Sequence, residues 1–133
     1  MYNLKNKKVL ITGGSRGIGY AILKEFYLNN SEILTIGSNM INLEKVKKDF
    51  NKINIKQLDL KNYENLKENF PKFIDELGGI DILINNAGIT KDNLTLRMKE
   101  EEWKDVIDVN LNSVFFMCQF AIKVMIKKKT GSI

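Results

Sequence analysis

Apolar and polar positions alternate along this chain in two periods. Val9-Leu10-Ile11 is a short unbroken apolar run, and behind it Ala21, Ile22, Leu23, Phe26, Tyr27 and Leu28 recur at helical spacing. These patterns predict a strand at about 8–11 and a helix at about 17–28. Further strands follow at 32–36, 53–58 and 80–84, with helices at 43–50 and 63–77 between them. Asn29-Asn30-Ser31, Gly37-Ser38-Asn39 and Gly78-Gly79 punctuate the elements. Strict alternation through short connections predicts an α/β fold: a Rossmann-type doubly wound parallel sheet with right-handed crossovers and helices on both faces. Ile80-Asp81-Ile82-Leu83-Ile84 is nearly continuously apolar, as a strand covered on both sides should be. From 100 to 129 a broad stripe through Trp103, Val106, Ile107, Leu111, Val114, Phe115, Cys118, Ala121, Ile122, Met125 and Ile126 predicts one long, largely buried helix. Its exposed flank offers an oligomer surface. Pro71 lacks an N–H and clashes with the preceding turn at a cost of about 3 kcal/mol, which predicts a kink or two short helices near Phe70.

Between the first strand and helix lies Thr12-Gly13-Gly14-Ser15-Arg16-Gly17-Ile18-Gly19. Strand, glycine turn and helix in that order suit a dinucleotide: Gly13 permits a sharp turn, Gly17 leaves backbone bare for a pyrophosphate, and Gly19 lets the helix pack closely. The free N–H groups and positive dipole end of the helix would face the phosphates. Three glycines also occur in turns that bind nothing, so this stretch alone does not decide the matter.

Composition narrows the chemistry. The 133 residues make one domain, and 44% hydrophobic residues suffice for a core. The net charge of +5, from 21 basic and 16 acidic residues, comes from lysines spread over polar helix faces, which reads as a solvated surface and not as a nucleic-acid site. Histidine is absent and Cys118 is the single cysteine, which excludes Ser-His-Asp and Cys-His catalysis and the common zinc sites; no metal is expected. Cys118 lies in an apolar stretch and reads as a reduced core thiol. No hydrophobic leader opens the chain, and no apolar run approaches the roughly 20 residues of a membrane helix, so we expect a cytoplasmic protein with no membrane contact. A removed transit peptide would leave no trace.

The glycine turn, Asp59-Leu60 after the third strand, Asn85-Asn86-Ala87-Gly88 after the fourth and Asn110 in the long helix together resemble the short-chain dehydrogenase/reductase family, in its order and spacing and over residues 8–133. The stretch from Ala87 through Trp103 is most similar to its reductases of 3-oxoacyl-[acyl-carrier-protein] in type II fatty acid synthesis. The resemblance implies that residues 1–133 are the N-terminal part of a single-domain reductase that binds NADP(H). It implies a pyrophosphate contact for Gly13, Gly14, Ser15, Arg16, Gly17 and Ile18, with Thr12 bracing the neighbouring loop. Asp59 and Leu60 would lie beside the adenine. Asn86, Ala87 and Gly88 would line the adenosine and nicotinamide-ribose side, while Asn85 would stabilise the sheet. Each asparagine also admits a plainer role as a loop amide bonded to its own backbone.

Charge argues the cofactor. NAD-dependent relatives place an acid after the second strand to hold the ribose 2′-hydroxyl, whereas Gly37-Ser38-Asn39 carries none. Arg16 can offer a planar fork to a 2′-phosphate, with Ser38 as a second contact. Catalysis is less complete. The family's serine, its tyrosine and the lysine four residues later follow the fifth strand, and Gly131-Ser132-Ile133 resembles the start of that strand. Only Asn110 of the catalytic set is expected here, kinking its helix and holding a relay water. Tyr20 with Lys24 and Tyr63 with Lys67 match the tyrosine-lysine spacing, but on helices remote from the nicotinamide, and Ser132 precedes the catalytic serine position. These residues by themselves should therefore lack reductase activity. The fourth strand, left as an open edge, should make them unstable or prone to aggregate. Lys127-Lys128-Lys129 reads either as a dipole complement at a helix end or as a docking site for the acidic acyl carrier protein, centred on Lys129. The family implies a homotetramer. Two rival functions stay open: another short-chain carbonyl reductase, and an inactive nucleotide-binding fragment.

Overall fold

A computed structural model describes residues 3–133. The elements are β1 (Lys8–Thr12), α1 (Gly17–Leu28), β2 (Glu32–Gly37), α2 (Met40–Asp49), β3 (Asn54–Gln57), α3 (Tyr63–Leu77), β4 (Ile82–Asn85), α4 (Glu100–Ile107) and α5 (Ser113–Lys128). A 3₁₀ turn at Thr95–Arg97 precedes α4, and a π-turn at Asp108–Asn112 joins α4 to α5. The sheet is parallel in the order β3-β2-β1-β4, with Val9 beside Ile33 on one side and Ile82 on the other. This is the doubly wound arrangement that the alternating pattern predicts.

Two apolar layers hold it. On one face Leu10, Leu34, Leu83 and Ile36 pack with Leu66, Phe70 and Ile74 of α3 and Met117, Ala121 and Met125 of α5. On the other, Val9, Ile11 and Ile33 pack with Leu23 of α1 and Val46 of α2. Alternate residues of β1 therefore serve opposite layers, which is why its three central residues are all fully buried.

Local chemistry sets the ends of the elements. The Asn39 side chain accepts from the Asn42 N–H at 3.0 Å and starts α2 at Met40, three residues before the apolar pattern does. Asn62 caps α3 in the same way at 3.0 Å, and Gly78 ends it in the left-handed conformation. Pro71 does not divide α3, contrary to one form of the expectation: Tyr63–Leu77 is a single helix, because Phe70, Phe73 and Ile74 bury both sides of the proline in the core. The missing hydrogen bond is offset by that packing.

The helical run from Glu100 to Lys128 is 29 residues long and, by length and mean hydropathy, could cross a membrane. This corrects the expectation that nothing approaches such a length. Asn110, Asn112, Gln119 and Lys123 interrupt any unbroken apolar run, yet the average over the helix stays high. Met117, Ala121 and Met125 seat α5 against the sheet. Trp103, Leu111, Phe115, Ile122 and Ile126 are exposed, so the helix is less buried than its pattern predicts.

β4 forms the sheet edge, where a fifth strand only begins. Ser132 pairs in parallel with Ile82; its N–H donates to the Asp81 carbonyl and its carbonyl accepts from Leu83 N–H, both at 3.0 Å. Asp81 anchors this corner. Its carboxylate accepts from Lys8 N–H at 2.8 Å and from the Lys128 ammonium at 2.5 Å.

Candidate functional site

In a parallel sheet all the loops after strands emerge on one edge. Here that edge gathers the glycine turn after β1, Gly37-Ser38-Asn39 after β2, Leu58-Asp59-Leu60 after β3 and Asn86-Ala87-Gly88 after β4. The chain leaves β1 toward β2 on one side and returns to β4 on the other, so the edge between β1 and β4 is a topological switch point. Open α/β sheets bind ligands there.

The glycine turn is held rigidly from beneath. Gly13 N–H donates to the Ile36 carbonyl at 2.8 Å, and Gly14 N–H donates to Thr35 Oγ1 at 3.2 Å. Thr35 in turn donates to the Ile11 carbonyl at 3.1 Å. The Asn86 amide donates to the carbonyls of Thr12 at 3.2 Å and Gly13 at 3.0 Å. Thr12 Oγ1 accepts from the N–H groups of Asn86 at 3.1 Å and Ala87 at 3.0 Å. The turns after β1 and β4 are thus laced together, with the Asn86 side chain spent on the glycine turn itself. Thr35 belongs to this bracing and carries no motif that flags it; a buried threonine in an otherwise apolar strand is its only sequence signal.

Two glycines show what the turn is shaped for. A Cβ at Gly19 would collide with the Gly13 carbonyl and the Asn86 amide, so α1 can approach the turn only with glycine there. Gly17 has φ +55° and nothing within 4 Å of where its Cβ would stand. Bare backbone and open space therefore coincide at the first residue of α1, whose first N–H groups have no partner within the helix. Arg16, at the helix N-cap, is extended at φ −158° and makes no capping bond, leaving its exposed guanidinium free for an anion. Ser15 and Ile18 flank it, half-buried and exposed respectively.

Ser38 is exposed, and its carbonyl accepts from the Gln57 amide at 2.9 Å. Asp59 is exposed and Leu60 buried; Asp59 Oδ1 accepts from Lys61 N–H at 3.0 Å, leaving the other oxygen without a partner among the described residues. Gly88 lies against Asn110, whose Oδ1 would stand 3.5 Å from a Cβ on that glycine. Asn110 sits in the π-turn and bonds Ile89 twice, accepting from its N–H at 2.8 Å and donating to its carbonyl at 2.9 Å. The break in the long helix therefore points its side chain to the loop after β4. Asn85 faces the other way: its amide donates to Cys118 Sγ at 3.3 Å, and its buried Oδ1 has no partner among the described residues.

The loop from 86 to 99 returns to α4 through Glu102, which accepts from Lys99 N–H at 2.8 Å and from the Asn93 amide at 3.4 Å. The Lys99 N–H and then the Asn93 amide hold the Glu102 carboxyl below its ordinary range. Neither tyrosine-lysine pair joins the cluster. Tyr20 donates to Asp49 at 3.1 Å, and that bond, with desolvation and the Asp49 charge, raises its pKa, away from what an acid catalyst needs. Tyr63 stacks on Phe116, with Lys67 over its ring. Lys127, Lys128 and Lys129 lie at the opposite edge of the sheet, where Lys128 is bonded to Asp81 and to the Ile80 carbonyl at 3.3 Å. Among the described residues no cluster of potential metal ligands occurs.

Comparison with known proteins matches this arrangement. Residues 7–133 fit the family model described as short chain dehydrogenase. The 3-oxoacyl-[acyl-carrier-protein] reductase of Chlamydia pneumoniae is 40% identical over 134 residues, covering 98% of this chain and 54% of that protein. Those of Vibrio cholerae and Escherichia coli K12 are 39% and 37% identical at the same coverage. The chain spans about half the length of the curated relatives it matches. A crystal structure of a short-chain type dehydrogenase/reductase from Mycobacterium marinum superposes with a TM-score of 0.87 at 28% identity, covering 98% of this chain and 54% of that one.

Proposed function

The chain belongs to the short-chain dehydrogenase family, and on that premise we propose that residues 1–133 are the NADP(H)-binding part of a 3-oxoacyl-[acyl-carrier-protein] reductase, which converts the 3-oxoacyl thioester to the 3-hydroxyacyl thioester. The observation that carries the cofactor reading is the pairing of an unengaged Arg16 on the open glycine turn with an acid-free Gly37-Ser38-Asn39. The substrate reading is supported by the identity to reductases of that name.

The residues fit such a cofactor. The open flank of Gly17 and the first amides of α1 receive the pyrophosphate, Arg16 and Ser38 the 2′-phosphate, and the free oxygen of Asp59 the adenine amine, with Leu60 beneath it. Ala87 and Gly88 line the ribose side. When bound, NADPH supplies the hydride. Asn86 and Thr12 act through the turn, engaging the Thr12 and Gly13 carbonyls and one face of the loop after β4, so that the amides at the start of α1 are the ones left for the ligand. Asn110, fixed on Ile89, holds a relay water in this reading. Proton donation needs groups outside these 133 residues, so we expect binding without turnover from them alone.

Carrier protein and subunit contacts belong to the same proposal. The exposed apolar strip of Trp103, Leu111, Phe115, Ile122 and Ile126 on α4 and α5 is the surface we assign to a second copy. The acyl carrier protein would dock on Lys129, with Lys127 and Lys128 beside it, and a homotetramer is the assembly we expect of the full-length protein. Sedimentation of a full-length protein carrying Leu111→Ser and Phe115→Ser should show smaller species; an unchanged tetramer would remove this surface.

Titration of the chain with NADPH and NADH, followed by NADPH oxidation assays of the full-length protein, tests the central reading. Oxidation driven by a 3-oxoacyl thioester and not by unrelated ketones supports it. Equal turnover of simple ketones would favour another carbonyl reductase, and no binding of either nucleotide would leave no cofactor role.

A further inference from the structure

Helix α4 is weakly anchored. None of its eight residues is buried. Apart from its continuity with the π-turn and the bonds of Glu102 to Lys99 N–H and the Asn93 amide in the preceding loop, a single side-chain bond reaches it among the described residues. Lys61 Nζ lies 3.4 Å from Asp105 Oδ1 and 3.5 Å from Oδ2, across 44 residues of sequence.

Both partners occupy telling positions. Lys61 directly follows Asp59-Leu60; its own N–H is tied to the Asp59 carboxylate, and the neighbouring Leu60 is rooted in the core. Its ammonium is therefore displayed from the loop that carries Asp59. Asp105 lies one turn before the π-turn that carries Asn110, and its side chain is only 19% exposed, against 42% for Lys61. Ion pairs on open surface contribute little, but a largely covered carboxylate with one cationic partner depends on that partner.

We propose that Lys61 and Asp105 are a positioning pair that fixes α4 against the loop after β3. Resting on the NADP(H) reading above, the pair links the two ends of the cofactor site: the adenine loop at Asp59 on one side, and through α4 and the π-turn the Asn110–Ile89 contact on the other. Neither side chain touches the cofactor. Because coupling is reciprocal, a nucleotide that orders the adenine loop also steadies α4, and release of α4 weakens nucleotide binding.

Hydrogen exchange and NADPH titration of the full-length protein test this with Lys61→Ala, Asp105→Asn and the charge-swapped double variant Lys61→Asp with Asp105→Lys. Each single variant should speed exchange of the amides of residues 100–107 about threefold or more and weaken NADPH binding by roughly two- to fivefold, as expected for a partly exposed ion pair. The swap should recover most of both, and about 0.5 M salt should shrink the difference. Unchanged exchange over 100–107 in the single variants, or a swap that recovers nothing, overturns the pair. Exchange that responds as described in a chain that binds no NADPH would keep the pair and remove the cofactor reading instead; normal NADPH binding with unresponsive exchange would do the reverse.

Discussion

Arg16 and Gly19 sit three residues apart and are constrained for different reasons. Gly19 has no room: any Cβ would press on the Gly13 carbonyl and the Asn86 amide, both already bonded. Gly19→Ala should therefore lower unfolding stability by about 1–3 kcal/mol in urea melts, since the backbone on both sides must shift. Arg16 has no structural duty, being exposed and without a capping bond. Arg16→Glu should leave the melt nearly unchanged while weakening NADPH binding far more than NADH binding; equal losses for the two nucleotides would remove the argument from the 2′-phosphate. The glycine pattern is readable in sequence because its spacing has a steric cause. Thr35 is not, since a threonine in a strand shows no sign of the amide it will meet. Asn86 is expected from the sequence to line the cofactor, but that its side chain braces the glycine turn appears only once β1 and β4 lie side by side.

At the level of elements, propensity and packing disagree most clearly in α3. Pro71 opposes the helix, whereas Leu66, Phe70, Phe73, Ile74 and Leu77 place one face of all four turns in the core. Burial of five large apolar side chains at about 1.5–3 kcal/mol each exceeds a proline penalty of about 3 kcal/mol, so the helix continues. Pro71→Ala should then raise stability by roughly 1–3 kcal/mol in a denaturant melt, restoring one hydrogen bond while leaving the buried face intact. The long helix teaches the converse. Its periodicity fixed its length closely, but not the π-turn at 108–112, because the insertion depends on Asn110 finding Ile89 on a separate loop. Its exposed strip was likewise expected to be largely buried; periodicity shows that residues share a face and says nothing of what covers it.

For the whole molecule, the corner at Asp81 ties β1, β4 and α5 together and makes stability depend on pH. Burial pushes the Asp81 carboxyl up, but the Lys128 ammonium and the Lys8 N–H outweigh it and hold the group below its ordinary range. A depressed carboxyl contributes stability that is complete above its unfolded pKa of about 3.9 and is lost as pH falls through the lower folded value. The urea midpoint should therefore drop as pH is lowered below about 4, and Asp81→Asn should flatten that part of the profile; parallel profiles for the two proteins would exclude this anchor. The alternation of strand and helix patterns determined the elements and the doubly wound sheet, because burial on two faces leaves few arrangements for such a chain. It also determined where the glycine turn must lie, since the turn's conformation is local. Only the tertiary structure decided that Asn86 and Thr35 hold that turn, that Asn110 breaks its helix toward Ile89, that Lys128 ends beside Asp81 at the far end of β4 from that turn, and that Lys61 reaches Asp105. Each of these joins groups distant along the chain, whose meeting depends on how the layers pack and not on any period within one segment.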